Sequence, residues 1–269
     1  MSEFKRGIDN KYFIEALNKN IYFQKMRGDK DLFIAIRNEY LNVYYFGQSI
    51  CKIEFRKRKK MIKWTTHKKY IDICEKGYTE IGDDHLCDID NLKKNAYEHK
   101  GQEKEQVKKN ILENNEICVL DVEITFGREQ GFGTRSIDYL TVERVVDSGI
   151  ILVFYEAKHS KNNEIRAQNE LEPKIFQQIE KYEKVLNDPN HKTELLNSYK
   201  KIYENIIELN LNNKYSLDKL IGLNFENVKI NTEPKIIIFE IEHKINDNKH
   251  IEKLRQKYTE NRLILIDKK

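Results

Sequence analysis

The segment Ile150–Lys158 constrains the fold of this 269-residue chain more than any other stretch. Five apolar or aromatic residues, Ile151-Leu152-Val153-Phe154-Tyr155, run straight into Glu156-Ala157-Lys158. Such a run predicts a strand buried for most of its length that ends in charge. Two further strand candidates precede it, Ile117–Phe126 and Ser136–Val146. The Gly-bearing GREQGFGTR joins the first pair and Asp147-Ser148-Gly149 the second, so all three are expected to be antiparallel neighbours. Around them the pattern predicts a helix over Gly101–Glu113, another over Pro173–Leu186 with proline in its first turn, and a third over Thr193–Leu209. A strand (Lys235–Ile241), a helix (His250–Thr259) and a strand (Arg262–Ile266) close the chain. The expected class is mixed α/β (α+β).

The first ninety-five residues read differently. After a helical stretch at Tyr12–Leu17 come three runs rich in β-branched and aromatic residues, Asp31–Tyr40, Leu41–Phe55 broken at Gly47, and Met61–Ile71. They predict a small antiparallel meander. The polar, apolar-poor stretch Asp83–Asn95 suggests a soft boundary, giving an N-terminal β-rich module at 1–95 and a second domain at 96–269.

Composition excludes some classes. Hydrophobic residues are 39% of the chain, with 12 Phe and 15 Tyr, which argues against disorder. No apolar run approaches the roughly 18–20 residues that span a bilayer, and the opening MSEFKRGIDNKYF lacks a signal peptide's apolar stretch. Four widely spaced cysteines without a CxxC suit a reducing cytoplasm, the expected location. The net charge of +4 identifies no partner. No Walker A, GxGxxG or GxSxG string is present, so an ATPase, a dinucleotide enzyme and an α/β-hydrolase have no foothold.

Three ionisable residues stand where strands carry apolar or neutral ones: Asp138 in SIDYLTV, and Glu156 and Lys158. Alternate strand residues share a face, so Glu156 and Lys158 point the same way, and the hairpin brings Asp138 beside Glu156. Two carboxylates suit a hard divalent cation such as Mg²⁺ or Mn²⁺, which takes its remaining ligands from water and phosphate. Lys158 would orient an attacking water or offset transition-state charge. The plain alternative is a salt bridge at a strand end.

The order helix, strand, strand with Asp138, strand with Glu156-Ala157-Lys158, then helix resembles the PD-(D/E)XK nuclease superfamily. Gln178-Ile179-Glu180-Lys181-Tyr182, on the helix after that strand, resembles the Q-h-x-x-Y signature of its RecB-like members. One helical turn apart, Gln178 and Tyr182 share a face. The resemblance spans about Tyr97–Leu186 well, the last strand-helix-strand loosely and the first ninety residues not at all. It implies a restriction-endonuclease-like mixed central sheet flanked by helices. It also implies metal-dependent hydrolysis of DNA phosphodiesters in a bacterial or phage-related setting of restriction, defence or repair. Members often add an acid from the helix before the first strand. Glu103 lies one turn from Val107 and shares its inward face, so it is the expected third acid, with Glu123 in reserve. Asp138, Glu156 and Glu103 would hold the metal, and Gln178 and Tyr182 would position the substrate strand.

For nucleic acid, Arg166 would grip a phosphate with its planar fork and Lys161 as a point charge. The basic run Lys52–Lys69 includes Arg56, Arg58, Lys59 and Lys60, with Trp64 available to stack on a base. DNA is the expected partner, with RNA possible, and a homodimer or a defence-complex partner fits the resemblance. The rival reading is a catalytically silent nuclease-fold subunit that binds nucleic acid or protein; an RNA-directed nuclease is a third.

Overall fold

In the computed structural model, residues 4–268 are described except 72–75, 127–135, 146–148, 167–171, 212–215, 217–218, 220–224 and 242–244. The expected GREQGFGTR connection and part of Asp147-Ser148-Gly149 lie outside the described residues. The fold is mixed α and β, with one five-stranded and one six-stranded sheet. The chain divides into two compact units. One comprises Lys5–Lys108 with Asn197–Gly222, the other Lys109–Leu196 with Leu223–Lys269 and the first four residues. The first unit thus runs past the expected boundary at residue 95 and takes in a second, distant stretch of chain.

The first unit is built on an antiparallel meander, β1 (Phe33–Ile36), β2 (Tyr40–Tyr45), β3 (Gln48–Arg56), β4 (Met61–His67) and β5 (Tyr78–Glu80), paired in chain order. The break at Gly47 is the β2–β3 turn, where Phe46 and Gly47 both have positive φ (47° and 71°), as a tight hairpin turn requires. Helices α1 (Lys11–Lys19) and α2 (Ile21–Gly28) are separated by Asn20, whose side chain caps α2 by accepting from the Phe23 amide at 2.9 Å. The polar stretch expected to be a boundary instead forms α3 (Asp83–Cys87) and α4 (Ile89–Tyr97), in which few apolar residues, among them Leu86, Leu92 and Ala96, are buried. α5 (Gln102–Val107) ends in a π-helical turn over Lys108–Leu112 rather than continuing as α-helix to Glu113. Asn205, fully buried, fastens the 197–222 stretch to this unit. It accepts from the Ile8 amide at 2.7 Å and donates to the Ile8 carbonyl at 3.0 Å.

The second unit holds β6 (Val119–Ile124), β7 (Ile137–Val145), β8 (Gly149–His159), β9 (Val228–Ile230), β10 (Lys235–Ile241) and β11 (Leu263–Asp267). Their order is β11-β10-β8-β7-β6. β6, β7 and β8 are antiparallel neighbours, while β10 joins β8 in parallel and β11 joins β10 in parallel. β8 is the central strand. Its second edge is shared, with β9 along Ile150–Leu152 and β10 along Tyr155–His159. Enclosure on both edges and both faces explains its unbroken apolar run. Between β8 and β10 the chain forms α6 (Lys174–Asn187) and α7 (Pro189–Glu208), and α8 (Ile245–Lys257) precedes β11. α7 starts earlier than expected because Pro189 occupies its first turn, where a missing amide is no loss.

Candidate functional site

Asp138, Glu156, Lys158, Gln178 and Tyr182 converge within the second unit, all of them buried. The β7–β8 ladder places Tyr139 opposite Tyr155, so one residue further on Asp138 falls opposite Glu156. There the side chain of Asp138 takes over from the ladder, Oδ2 accepting from the Ala157 amide at 2.7 Å. The two strands are thereby locked together at the point where the charged residues begin.

Glu156 is 1% exposed, and its Oε1 receives two donors. Lys158 Nζ lies 2.5 Å away on the same strand face, and Gln178 Nε2 lies 2.6 Å away from α6. Burying a carboxylate this deeply is tolerable only with such partners. Lys158 also meets Glu164 Oε2 at 3.2 Å. Glu164 comes from the short helical turn Asn163–Ile165, set by the Asn162 side chain accepting from the Glu164 amide at 2.9 Å. Sequence reasoning missed Glu164: it sits in an ordinary polar loop, and only the loop's backbone turn aims it at Lys158.

α6 shows why Gln178 and Tyr182 belong here. Its buried stripe is Ile175, Phe176, Gln178, Ile179, Tyr182, Val185 and Leu186, so a lone amide and a phenol sit among apolar residues. Gln178 donates to the Tyr182 hydroxyl at 2.9 Å as well as to Glu156. Its Oε1 is buried without a hydrogen-bond partner among the described residues. Turning the amide over would set that oxygen against the Glu156 carboxylate, so the amide orientation follows from the network. Burial pushes the Tyr182 hydroxyl's pKa up, and the charges of Glu156 and Asp138 push the same way, so Tyr182 stays a neutral hydroxyl at ordinary pH.

Among the described residues, the carboxylates of Asp138, Glu156 and Glu164 therefore stand in this patch with the ammonium of Lys158. Glu123 is a further acid of the same sheet. The β6–β7 register, which pairs Val122 with Tyr139 and Ile124 with Ile137, sets it opposite Asp138. Its backbone is left-handed (φ 51°), and its Oε2 accepts from Ser136 Oγ at 3.1 Å. Among the described residues no three His, Cys, Asp or Glu side chains stand close enough to enclose a metal by themselves.

The remaining candidates are spread more widely. Glu103 lies on α5 in the first unit, half-buried. Lys161 is exposed on the turn after β8, and the Arg166 guanidinium donates to the Ser160 carbonyl at 3.5 Å. Arg56 pairs with Glu80 at 2.5 Å, whereas Arg58, Lys59 and Lys60 are exposed at the β3–β4 turn. Trp64 corrects an expectation. It is 6% exposed and paired with Ile53 in the meander, so its ring is committed to the core and offers no face to a base. No helix among the described residues is long and apolar enough to cross a membrane. Neither a protein-family model, nor a curated protein, nor a solved structure matches this chain.

Proposed function

We propose that the six-stranded unit is a metal-dependent nuclease of the PD-(D/E)XK kind that hydrolyses DNA phosphodiester bonds. One observation carries the reading. Two buried carboxylates and a buried ammonium from neighbouring strands meet a glutamine and a tyrosine from the helix that follows. The succession β6, β7 with Asp138, β8 with Glu156 and Lys158, α6, then β10 parallel to β8 supports it as well.

The donor set fits magnesium or manganese. Asp138 and Glu156 are hard oxygen donors, and Mg²⁺ is commonly held by one or two carboxylates. Among the described residues the patch also carries more carboxylates than ammonium groups, and Gln178 Oε1 is a buried acceptor without a hydrogen-bond partner. Asp138 and Glu156 would hold the ion, which supplies Lewis-acid polarisation of the scissile phosphate. Lys158 presents a fixed ammonium to the anionic group, steadied from two sides by Glu156 and Glu164. Gln178 holds Glu156 in one rotamer, and the buried Tyr182 hydroxyl accepts from Gln178 and steadies its amide in turn.

The test replaces Asp138 with Asn and Lys158 with Ala separately and assays plasmid, linear duplex, single-stranded DNA and tRNA with Mg²⁺ or Mn²⁺. Cleavage of DNA that falls at least about 100-fold in each variant is expected, in line with the loss of one transition-state contact. Full activity in both variants overturns the mechanism, and preferential digestion of tRNA moves the substrate to RNA. The closed pairing of Lys158 favours a second reading, a nuclease-fold subunit that binds without turnover. Metal-independent binding by an inert wild-type protein would select it.

A further inference from the structure

The β3–β4 hairpin separates its cations into two classes. Along the stem they are matched by acids: Lys52 meets Glu54 at 2.7 Å, Lys63 meets Glu54 at 3.9 Å, and Arg56 meets Glu80. At the tip the arrangement reverses. Arg56 and Met61 form the last pair of the ladder, and the Lys59 amide closes the turn on the Arg56 carbonyl at 3.1 Å. The whole four-residue connection is therefore Lys57-Arg58-Lys59-Lys60. All four are exposed, and none pairs with an acid among the described residues.

Local folding does not account for this composition. Lys60 holds a left-handed backbone (φ 50°), where Asn or Gly is the less strained choice. Four like charges in one turn lie well within a Debye length of about 8–10 Å and repel each other. A counter-charge from outside the hairpin removes that repulsion.

The same hairpin also limits what the counter-charge can be. Its aromatics are engaged by the fold: Phe55, half-buried, stacks on Phe13 with ring centroids 5.7 Å apart and Trp64 is 6% exposed, while Tyr70, in the turn after β4, is 2% exposed. The exposed Tyr78 pairs with His67, six residues along β4 from Met61 and so about 20 Å from the tip. Unstacked bases find no aromatic platform at the tip. What the tip offers is four exposed cations on a paired two-stranded stem, which match a dense array of phosphates.

We infer that the tip Lys57–Lys60 is a docking surface for the phosphate backbone of double-stranded DNA, binding by charge without reading bases. This surface belongs to the first unit and stands whether or not the second unit cleaves DNA.

The experiment uses the full chain in EDTA, so that hydrolysis plays no part. A labelled 30-base-pair duplex is titrated by fluorescence anisotropy between 50 and 200 mM salt. The variant carries Lys57→Ser, Arg58→Ser, Lys59→Ser and Lys60→Asn, the last to suit the left-handed backbone. Each phosphate contact contributes about 0.9 to the slope of log K against log salt. The variant's slope is therefore expected to be shallower by about 3–4, with affinity at 100 mM salt at least tenfold weaker. The melting temperature should not change, and two duplexes of unrelated sequence should bind alike. Wild-type and variant slopes that coincide would overturn the inference, as would tighter binding of a single strand of equal length. Tip-dependent binding to phosphatidylserine vesicles without duplex binding would replace DNA with a lipid surface. Binding is read in EDTA and cleavage in Mg²⁺, which keeps failure of this surface distinct from failure of the proposed nuclease site.

Discussion

The two sheets handle charge in opposite ways. In the meander the densest run of cations lies on a turn open to solvent, and no described acid matches the last four. The mixed sheet also buries charges, and these are held by named partners: Asp121 by the Val122 amide, Asp138 by the Ala157 amide, Glu156 by Lys158 and Gln178, Lys158 by two glutamates. The difference matters because exposed charges are nearly free of consequence for folding, whereas buried ones are expensive unless paired. A buried ionisable cluster persists only with a complete set of partners, so it says more about what a site is built for. Exposed cations give the sign of a partner, and only their arrangement and surroundings narrow its kind.

The largest effect should come from breaking the buried set. Lys158→Ala leaves Glu156 sealed without its ammonium, and removing one partner of a buried pair typically costs about 3–5 kcal/mol. Urea unfolding should register that loss, while any one of the four tip cations changed to Ser stays within about 0.5 kcal/mol. Equal effects at the two places would erase the contrast drawn above. Gln178→Ala should come next. It removes one donor from Glu156 and one from Tyr182, with an expected loss of about 1–3 kcal/mol in the same assay.

A smaller effect concerns acid. Asp31, in the meander unit, has its carboxyl pKa held below the usual range by the hydrogen bond from Lys108, with Lys93 adding to it against the opposing effect of burial. A carboxyl lowered on folding stabilises above its unfolded pKa of about 3.9, and that contribution is lost as pH falls through the lower folded value. Thermal melts between pH 2 and 6 should therefore show a shallower acid decline in Asp31→Asn than in the wild type.

The sequence carried the parts of the fold that depend on short range. The strand Ile150–Lys158, its two antiparallel neighbours and the meander follow from apolar alternation and short connections, and so does the approach of Asp138 to Glu156. Gln178 and Tyr182 were legible through the resemblance of Gln178–Tyr182 to the Q-h-x-x-Y signature, with their spacing placing both on one helical face. What escaped depends on distance along the chain or on backbone detail. Glu164 reaches Lys158 through a turn that no periodicity announces. The 197–222 stretch joins the first unit through Asn205 and Ile8, residues 197 apart in sequence. The compact units do not follow a sequential division of the chain, which no local pattern announces. Trp64 shows the limit of reading composition: a basic run with an interleaved indole reads as a binding surface, yet pairing with Ile53 turns the ring inward.

The hydrogen bond from the Ala157 amide to Asp138 has a further consequence. One oxygen of that carboxylate is already immobilised by the backbone before any ligand arrives, so the rotamer freedom of the side chain is lost during folding and not during binding. Asparagine can keep the same acceptor on the same amide. Asp138→Asn therefore removes a charge while leaving the scaffold's geometry in place, and the response of ligand affinity to it reports electrostatics separately from preorganisation.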